Sequence, residues 1–263
     1  MTNITLVITS CGRLDLLQRT IDSLWQYYQF PKDRFIIIED SANKAVATEL
    51  QSIYGQKATV IFNEKNIGLL ASVDKAYSYV KTPYIFHCED DWVFYRPGFI
   101  EESIAMLEAD PKLKQVNLRS IHHDYIKNHP LDIEKERLEI AGTTCYKVRM
   151  PENFDKSGIK TQLPLHELDW SCFSFNPGVV RLKDYAATKG YKNIAESEAE
   201  ISSWYKKRGY YMVVLENDAV LHIGWGHSLE GHDPKTYSFS KRLRNFVKAG
   251  LNIFGANWKY EKG

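Results

Sequence analysis

Three carboxylates, Glu89, Asp90 and Asp91, stand side by side in the stretch HCEDDW. They follow an apolar run, Tyr84-Ile85-Phe86, and precede Trp92-Val93-Phe94. Like charges this close repel and raise one another's pKa. A chain that sets them at the end of a buried strand must relieve them with a cation or with solvent. Alternation along a strand turns Glu89 and Asp91 to one side and Asp90 to the other. Two same-side carboxylates make a hard-oxygen site for Mg2+ or Mn2+, which commonly shares its shell with substrate phosphates. A solvated acidic turn would carry the same letters, so the surrounding elements have to decide.

Those elements read as alternating strands and helices. Ile4 to Thr9 is a continuous β-branched run, and Leu14, Leu17, Ile21, Leu24 and Tyr28 then recur at helical spacing. Residues 34–39 form a second buried strand, 44–54 a helix and 59–62 a third strand. Leu70, Val73, Tyr77 and Val80 mark another helix, closed by Thr82-Pro83 before a fourth strand over 84–88. Strands without polar alternation, joined by helices, predict an α/β fold whose mostly parallel sheet is covered on both faces. Ligands bind beyond the carboxyl ends of such strands. Three polar clusters fall there: Ser10-Cys11-Gly12-Arg13, Asp40-Ser41 and Glu89-Asp90-Asp91.

Beyond residue 97 the spacing predicts a helix over 98–109, short strands over 115–119 and 172–175, and a strand or hairpin over 138–150. Helices near 181–189 and 198–208 and late strands over 210–215 and 219–222 follow. The stretch 151–168 reads as loop.

The order and spacing of these pieces resemble the GT-A glycosyltransferases, family 2 and related inverting enzymes in particular. ITLVITSCGRLDLLQRTIDSL is similar to that family's first strand and helix, and FIIIEDSAN to its second strand. NIGLLASVDKAYSYVKTPYIFHCEDDW is similar to its Asn-x-Gly, helix, strand and DxD segment, with the DxD written Glu-Asp-Asp. The likeness covers residues 3–110 well, 172–228 loosely and the middle hardly at all.

What the resemblance implies can be carried over residue by residue. Thr9 and Arg13 would lie against the nucleotide. Asp40, with Glu39 as its rival, would accept a hydrogen bond from a pyrimidine base, making the donor a UDP-sugar. Asn66 and Gly68 would shape the loop beside the donor, a pair that also reads as a helix cap with a tight turn. Glu89 would face the ribose or the metal shell, Asp90 the donor sugar or ribose, and Asp91 would ligate Mn2+ or Mg2+. Trp170-Ser171 and Phe175-Asn176-Pro177-Gly178 resemble the segment under the donor sugar. The acceptor would be a glycan or lipid-linked glycan hydroxyl.

The second half must supply a base. Counting back from Lys206-Lys207-Arg208-Gly209, the resemblance points to Glu198, with Glu196 as the rival. Ser197-x-x-Glu200 is a capping box, so Glu200 takes the structural task. A sugar hydroxyl is a far weaker acid than a carboxylic acid, so Glu198 would take the proton as the new bond forms. In VLHIGWGHS, His222 would complete the metal shell, with His227 the alternative. The Gly224-x-Gly226 loop suggests a close backbone approach to a ligand.

Composition bounds the rest. The 263 residues carry a net charge of +1, which offers no general electrostatic attraction for nucleic acid. Cys11, Cys88, Cys145 and Cys172 lack CxxC spacing and read as free thiols of a reducing, cytoplasmic compartment. The N-terminus lacks the pattern of a signal peptide, and no apolar run is long enough to span a membrane. We expect a nucleotide-sugar half over 1–116, an acceptor half over 117–235 and a basic amphipathic tail over 236–263. That tail suits either a helix packed on the body or peripheral contact with an anionic membrane. Two rival functions are a sugar-nucleotidyltransferase, disfavoured by the single glycine in Ser10–Arg13, and a carbohydrate binder without turnover.

Overall fold

The structure, a computed structural model, describes residues 3–121, 131–157 and 159–224. The basic tail, His227 and the polar segment with His122, His123 and His129 lie outside the described residues.

The chain opens with β1 (Ile4–Ser10), α1 (Leu14–Trp25), β2 (Phe35–Glu39), α2 (Lys44–Tyr54), β3 (Thr59–Phe62), α3 (Leu69–Tyr77) and β4 (Tyr84–Glu89). It continues through β5 (Trp92–Phe94), α4 (Phe99–Ala109), β6 (Leu113–Asn117), β7 (Asp132–Ile140), β8 (Thr143–Arg149) and β9 (Gly178–Arg181). Helices α5 (Leu182–Ala186) and α6 (Glu198–Lys206) and strands β10 (Tyr211–Leu215) and β11 (Val220–His222) follow.

Among the described residues, nine strands form one sheet in the order β3-β2-β1-β4-β9-β6-β10-β8-β7. β3, β2, β1 and β4 are mutually parallel, and β10 is parallel to β6. Of these nine strands, β9 and β8 run against the common direction. The sheet is therefore mostly parallel, as the sequence predicts, and runs unbroken through both expected halves.

Successive residues of the inner strands face two apolar layers. Leu6, Ile8 and Ile37 pack with Leu17, Ile21 and Leu24 of α1, while Val7, Ile36 and Ile38 pack with Val73, Ala76 and Tyr77 of α3. Burial on both faces is why these strands carry no polar alternation.

The three-residue strand β5 has no counterpart in the sequence reading. Its one edge pairs with β11, His222 standing opposite Trp92. Its other edge is satisfied by two buried hydroxyls of α1. Thr20 Oγ1 donates to the Asp90 carbonyl at 2.9 Å and accepts from Trp92 N at 3.0 Å, and Ser23 Oγ accepts from Phe94 N at 3.0 Å.

The strand expected over 172–175 is not formed; the strand lies later, at β9. Side chains take the place of a ladder partner along this segment. Ser202 Oγ accepts from Cys172 N, Gln115 Oε1 from Ser174 N and Glu198 Oε2 from Phe175 N, at 2.8 to 2.9 Å, and Gln115 Nε2 donates to the Ser174 carbonyl at 2.8 Å. The apolar pattern reports burial of Cys172, Phe173 and Phe175 correctly, but burial alone does not choose the hydrogen-bond partner.

The Gln115 side chain crosses the start of β9 closely. A Cβ at Gly178 would fall 2.6 Å from Gln115 Nε2 and 2.8 Å from the Val116 carbonyl oxygen. Gly178→Ala should destabilise the fold by about 1–3 kcal/mol, the usual range for overpacking, read as a lower midpoint in urea unfolding. His87, on β4, is 3 % exposed, and neither ring nitrogen has a hydrogen-bond partner among the described residues. Burial pushes its pKa down to about 3. A histidine kept neutral in the fold contributes stability above its unfolded pKa, near 6.5, and loses it as pH falls toward 3. Up to about 5 kcal/mol should go over that window, and His87→Phe should flatten the acid limb of a stability-versus-pH curve.

Candidate active site

The strand ends gather the expected residues into two adjoining clusters. In the first, β4 ends at Glu89, and the chain bends before β5 begins. The alternation of side chains ends with the strand, so Asp90 and Asp91 do not stand on separate sides. Both meet Arg13, the residue before α1. One guanidinium nitrogen pairs with Asp90 Oδ1, and Nη1 lies 2.9 Å from Asp91 Oδ2. Arg13 serves as the counter-charge of both aspartates. Thr9 is buried on β1 in register with Glu89.

The late histidine reaches Asp91. His222 Nε2 is 3.2 Å from the same Asp91 Oδ2, which therefore sits between an imidazole and a guanidinium. Two contacts seat it there. Ile223 N donates to the Asp91 carbonyl at 2.9 Å, and the His222 ring lies 4.7 Å from that of Trp92, centroid to centroid. Gly224 allows the crossing chain to approach. A Cβ there would overlap Asp91 Oδ2 and fall 2.8 Å from Cγ. The close approach read from the glycine is thus to Asp91 itself.

Glu198 opens α6 and points into the same region. Trp170 Nε1 donates to its Oε1 at 2.6 Å and Phe175 N to its Oε2 at 2.9 Å. Its charge, after that of Asp91, is the next to act on Glu89. Glu200 is taken up elsewhere, as expected. Its backbone N–H donates to Ser197 Oγ, and its carboxylate accepts from Glu196 N and from Thr161 Oγ1, Gln162 N and Leu163 N. The reciprocal bond of the capping box goes to Glu196 N, one residue earlier than the motif implies, because the carboxylate also ties down the 161–163 loop.

The electrostatics separate the three adjacent acids. Burial, then Asp91, Glu198 and Asp90, push Glu89 well above the usual carboxylate range. Burial and Asp91 raise Asp90 to about 6 against the pull of Arg13. Burial also pushes Asp91 up, but His222 and Arg13 more than offset it, and it falls below its ordinary value. Asp91 is the acid most firmly ionised.

The second cluster surrounds Asp40. Its Oδ1 accepts from Asn63 Nδ2 and Ile67 N and its Oδ2 from Gly68 N, at 2.8 to 2.9 Å, so it holds the loop leading into α3. Asn66 Nδ2 donates to the Asp40 carbonyl at 2.9 Å instead of capping the helix. The cap position belongs to Gly68, whose φ of +84° suits glycine. Glu39 accepts from Gly12 N and Ser41 N and holds the turn after β1. Cys11 joins the two clusters, its thiol raised by burial and then by Glu39, Asp40 and Asp90. All four cysteines are free.

A divalent cation fits the first cluster. Among the described residues, Asp91 Oδ1 is buried with no hydrogen-bond partner, and Oδ2 already draws cationic and imidazole groups. Among the described residues no group of three or more His, Cys, Asp or Glu side chains is gathered to hold a metal alone, so Asp91 and His222 would need oxygens from a ligand. Sequence reasoning missed Thr20, Ser23 and Gln115. Their signal is a polar side chain on a buried face, which demands a backbone partner.

Residues 5–162 match the profile described as Glycosyl transferase family 2. The match ends before Glu198 and His222. No curated protein sequence matches the chain. Among solved structures, a mannosyltransferase, PcManGT from Pyrobaculum calidifontis in complex with GDP-Man and Mn2+, superposes with a TM-score of 0.52 at 11 % identity over 99 % of this chain and 65 % of its own. S. aureus TarS 1-349 in complex with UDP-GlcNAc gives 0.53 at 12 % over 98 % and 68 %. GalNAc-T7 with UDP, GalNAc and Mn2+ gives 0.55 at 12 % over 94 % and 48 %. This chain thus spans about half to two thirds of the length of those proteins. At such identities the likeness is one of fold, the GT-A fold.

Removing the counter-charge tests the first cluster. Arg13→Met leaves Asp90 and Asp91 buried without it and should lower stability by about 2–4 kcal/mol, the low side for a broken buried pair, since Arg13 is 19 % exposed. Added Mn2+ should then raise the melting temperature of the variant more than that of the wild type. Equal shifts would argue against a cation site at Asp91.

Proposed function

The chain belongs to glycosyl transferase family 2, and from that membership and the site geometry we propose that it is an inverting, metal-dependent glycosyltransferase. The donor is a nucleoside diphosphate sugar, with UDP-sugars the first to test, and the acceptor is a hydroxyl of a glycan or lipid-linked glycan. One observation carries the reading. Glu198, from the far half of the chain, stands close enough to Glu89 for its charge to act there, while Arg13 and His222 converge on Asp91 beside it. A candidate base and a candidate diphosphate site thus adjoin.

In this reading the base and ribose lie over the ends of β1 and β2, between Thr9 and the loop held by Asp40, Asn66 and Gly68. The diphosphate faces Asp91 and His222, and a divalent cation held by these two would neutralise the departing nucleoside diphosphate. Arg13 supplies a fixed positive charge at the same place. Asp90, buried and paired with Arg13, orients that charge instead of touching the donor directly. Glu198 takes the acceptor proton as the hydroxyl attacks the anomeric carbon from the face opposite the leaving group. Trp170 Nε1 and Phe175 N hold its carboxylate in place.

No helix among the described residues is long and apolar enough to cross a membrane. The proposal of peripheral contact rests wholly on the basic tail, 236–263.

Nucleotide sugars screened by thermal shift with Mn2+ present should identify a stabilising donor. With that donor, Asp91→Asn and Glu198→Gln should each lower turnover roughly 100-fold or more. Asp91→Asn should also weaken Mn2+-dependent nucleotide binding, whereas Glu198→Gln should leave it unchanged. Near-wild-type turnover of either variant would remove that residue from its role.

A further inference from the structure

Glu198 is the first residue of α6, where an acid commonly serves the helix end. Here that task is done by others. Ser197 Oγ accepts from Glu200 N, and the Glu200 carboxylate accepts from Glu196 N. The Glu198 carboxylate instead leaves the helix and meets a donor at each oxygen, Trp170 Nε1 at 2.6 Å and Phe175 N at 2.9 Å.

The donors themselves are fixed. They come from the two ends of the ladderless segment 170–175, which Ser202 and Gln115 hold through Cys172 N and Ser174 N. Asp169 N, just before it, donates to Ser203 Oγ at 2.8 Å. The Trp170 ring meets Phe154 edge to face and packs on the cluster of Met212 and Val214 from β10. A carboxylate gripped at both oxygens cannot turn about its terminal torsion. A carboxylate oxygen carries more than one lone pair, so a donor on each does not exhaust either. An indole N–H only donates, so it always presents a donor to the carboxylate, whatever the neighbouring charges.

We propose that Trp170 is a positioning residue for Glu198: its indole N–H fixes the plane of the carboxylate and so selects where the acceptor hydroxyl must stand to be deprotonated. This rests on the reading of Glu198 as the base. Proton transfer to a carboxylate demands hydrogen-bond distance to one directed lone pair, and a small misplacement is expensive in rate.

Trp170→Phe keeps an aromatic ring in the packing and removes the N–H. With the donor identified by the screen, kcat for transfer should fall roughly 10- to 100-fold, while KM for the donor and nucleotide affinity stay within about twofold. In the Glu198→Gln background the same substitution should add almost nothing, because two residues acting as a unit are not additive. In a 15N–1H spectrum the indole resonance missing from Trp170→Phe should move in Glu198→Gln. Unchanged transfer in Trp170→Phe, losses that add in the double variant, or an indole resonance unmoved by Glu198→Gln would each overturn the proposal. If Glu198→Gln itself keeps wild-type transfer, the base assignment fails and takes this one with it. If Glu198→Gln abolishes transfer while Trp170→Phe is silent, only the role of Trp170 is lost.

Discussion

The site is organised by one electrostatic constraint: Glu89, Asp90 and Asp91 are consecutive, largely buried and alike in charge. Desolvation and mutual repulsion would drive protons onto all three. The fold meets this by bringing Arg13 onto Asp90 and Asp91 and His222 onto Asp91. The relief is uneven, and that unevenness is useful chemically. Asp91 is left ionised with one oxygen unpartnered among the described residues, Asp90 is tied to the guanidinium, and Glu89, acted on by Asp91 and Glu198, is the acid most inclined to hold a proton.

Much of the surrounding structure exists to hold that arrangement. The chain between Asp90 and Trp92 has no strand neighbour on the side of α1, so Thr20 takes over both its donor and its acceptor. On the other side β11 pairs with β5 and delivers His222 opposite Trp92. The same device recurs beneath Glu198, where Gln115, Ser202 and Glu198 satisfy a segment that a strand would otherwise satisfy. Side chains replace ladder bonds in both of these segments beside the site. Regular pairing would keep such segments extended and the side chains alternating.

The sequence was legible where local pattern and burial agree. β1, β2 and β4 are apolar on both faces, α1 carries a clean stripe at Leu17, Ile21 and Leu24, and polar residues follow at the strand ends. It misled where the same pattern admits two hydrogen-bond solutions. Cys172 to Phe175 is as apolar as a strand and is buried like one, yet its partners are side chains. The alternation rule sorted Glu89, Asp90 and Asp91 correctly only as far as the strand lasts. The pair Asn66-x-Gly68 read as a cap with a tight turn, and Gly68 sits at that cap, but the contact of Asn66 with the carbonyl of Asp40 was not legible.

The sequence by itself determined which chemical groups stand at the strand ends, because strand length and turn residues are local properties. It also determined that a late histidine and an acid opening a helix were available to join them. Only the tertiary structure decided how those groups are divided. Arg13 and Asp90 are 77 residues apart. That Arg13 faces the aspartates, that His222 and Arg13 share one oxygen of Asp91, and that Asp40 and Glu39 are spent on holding loops all depend on long-range pairing. No local pattern encodes a pairing of that kind. It follows from which elements stand side by side once both faces of the sheet are buried.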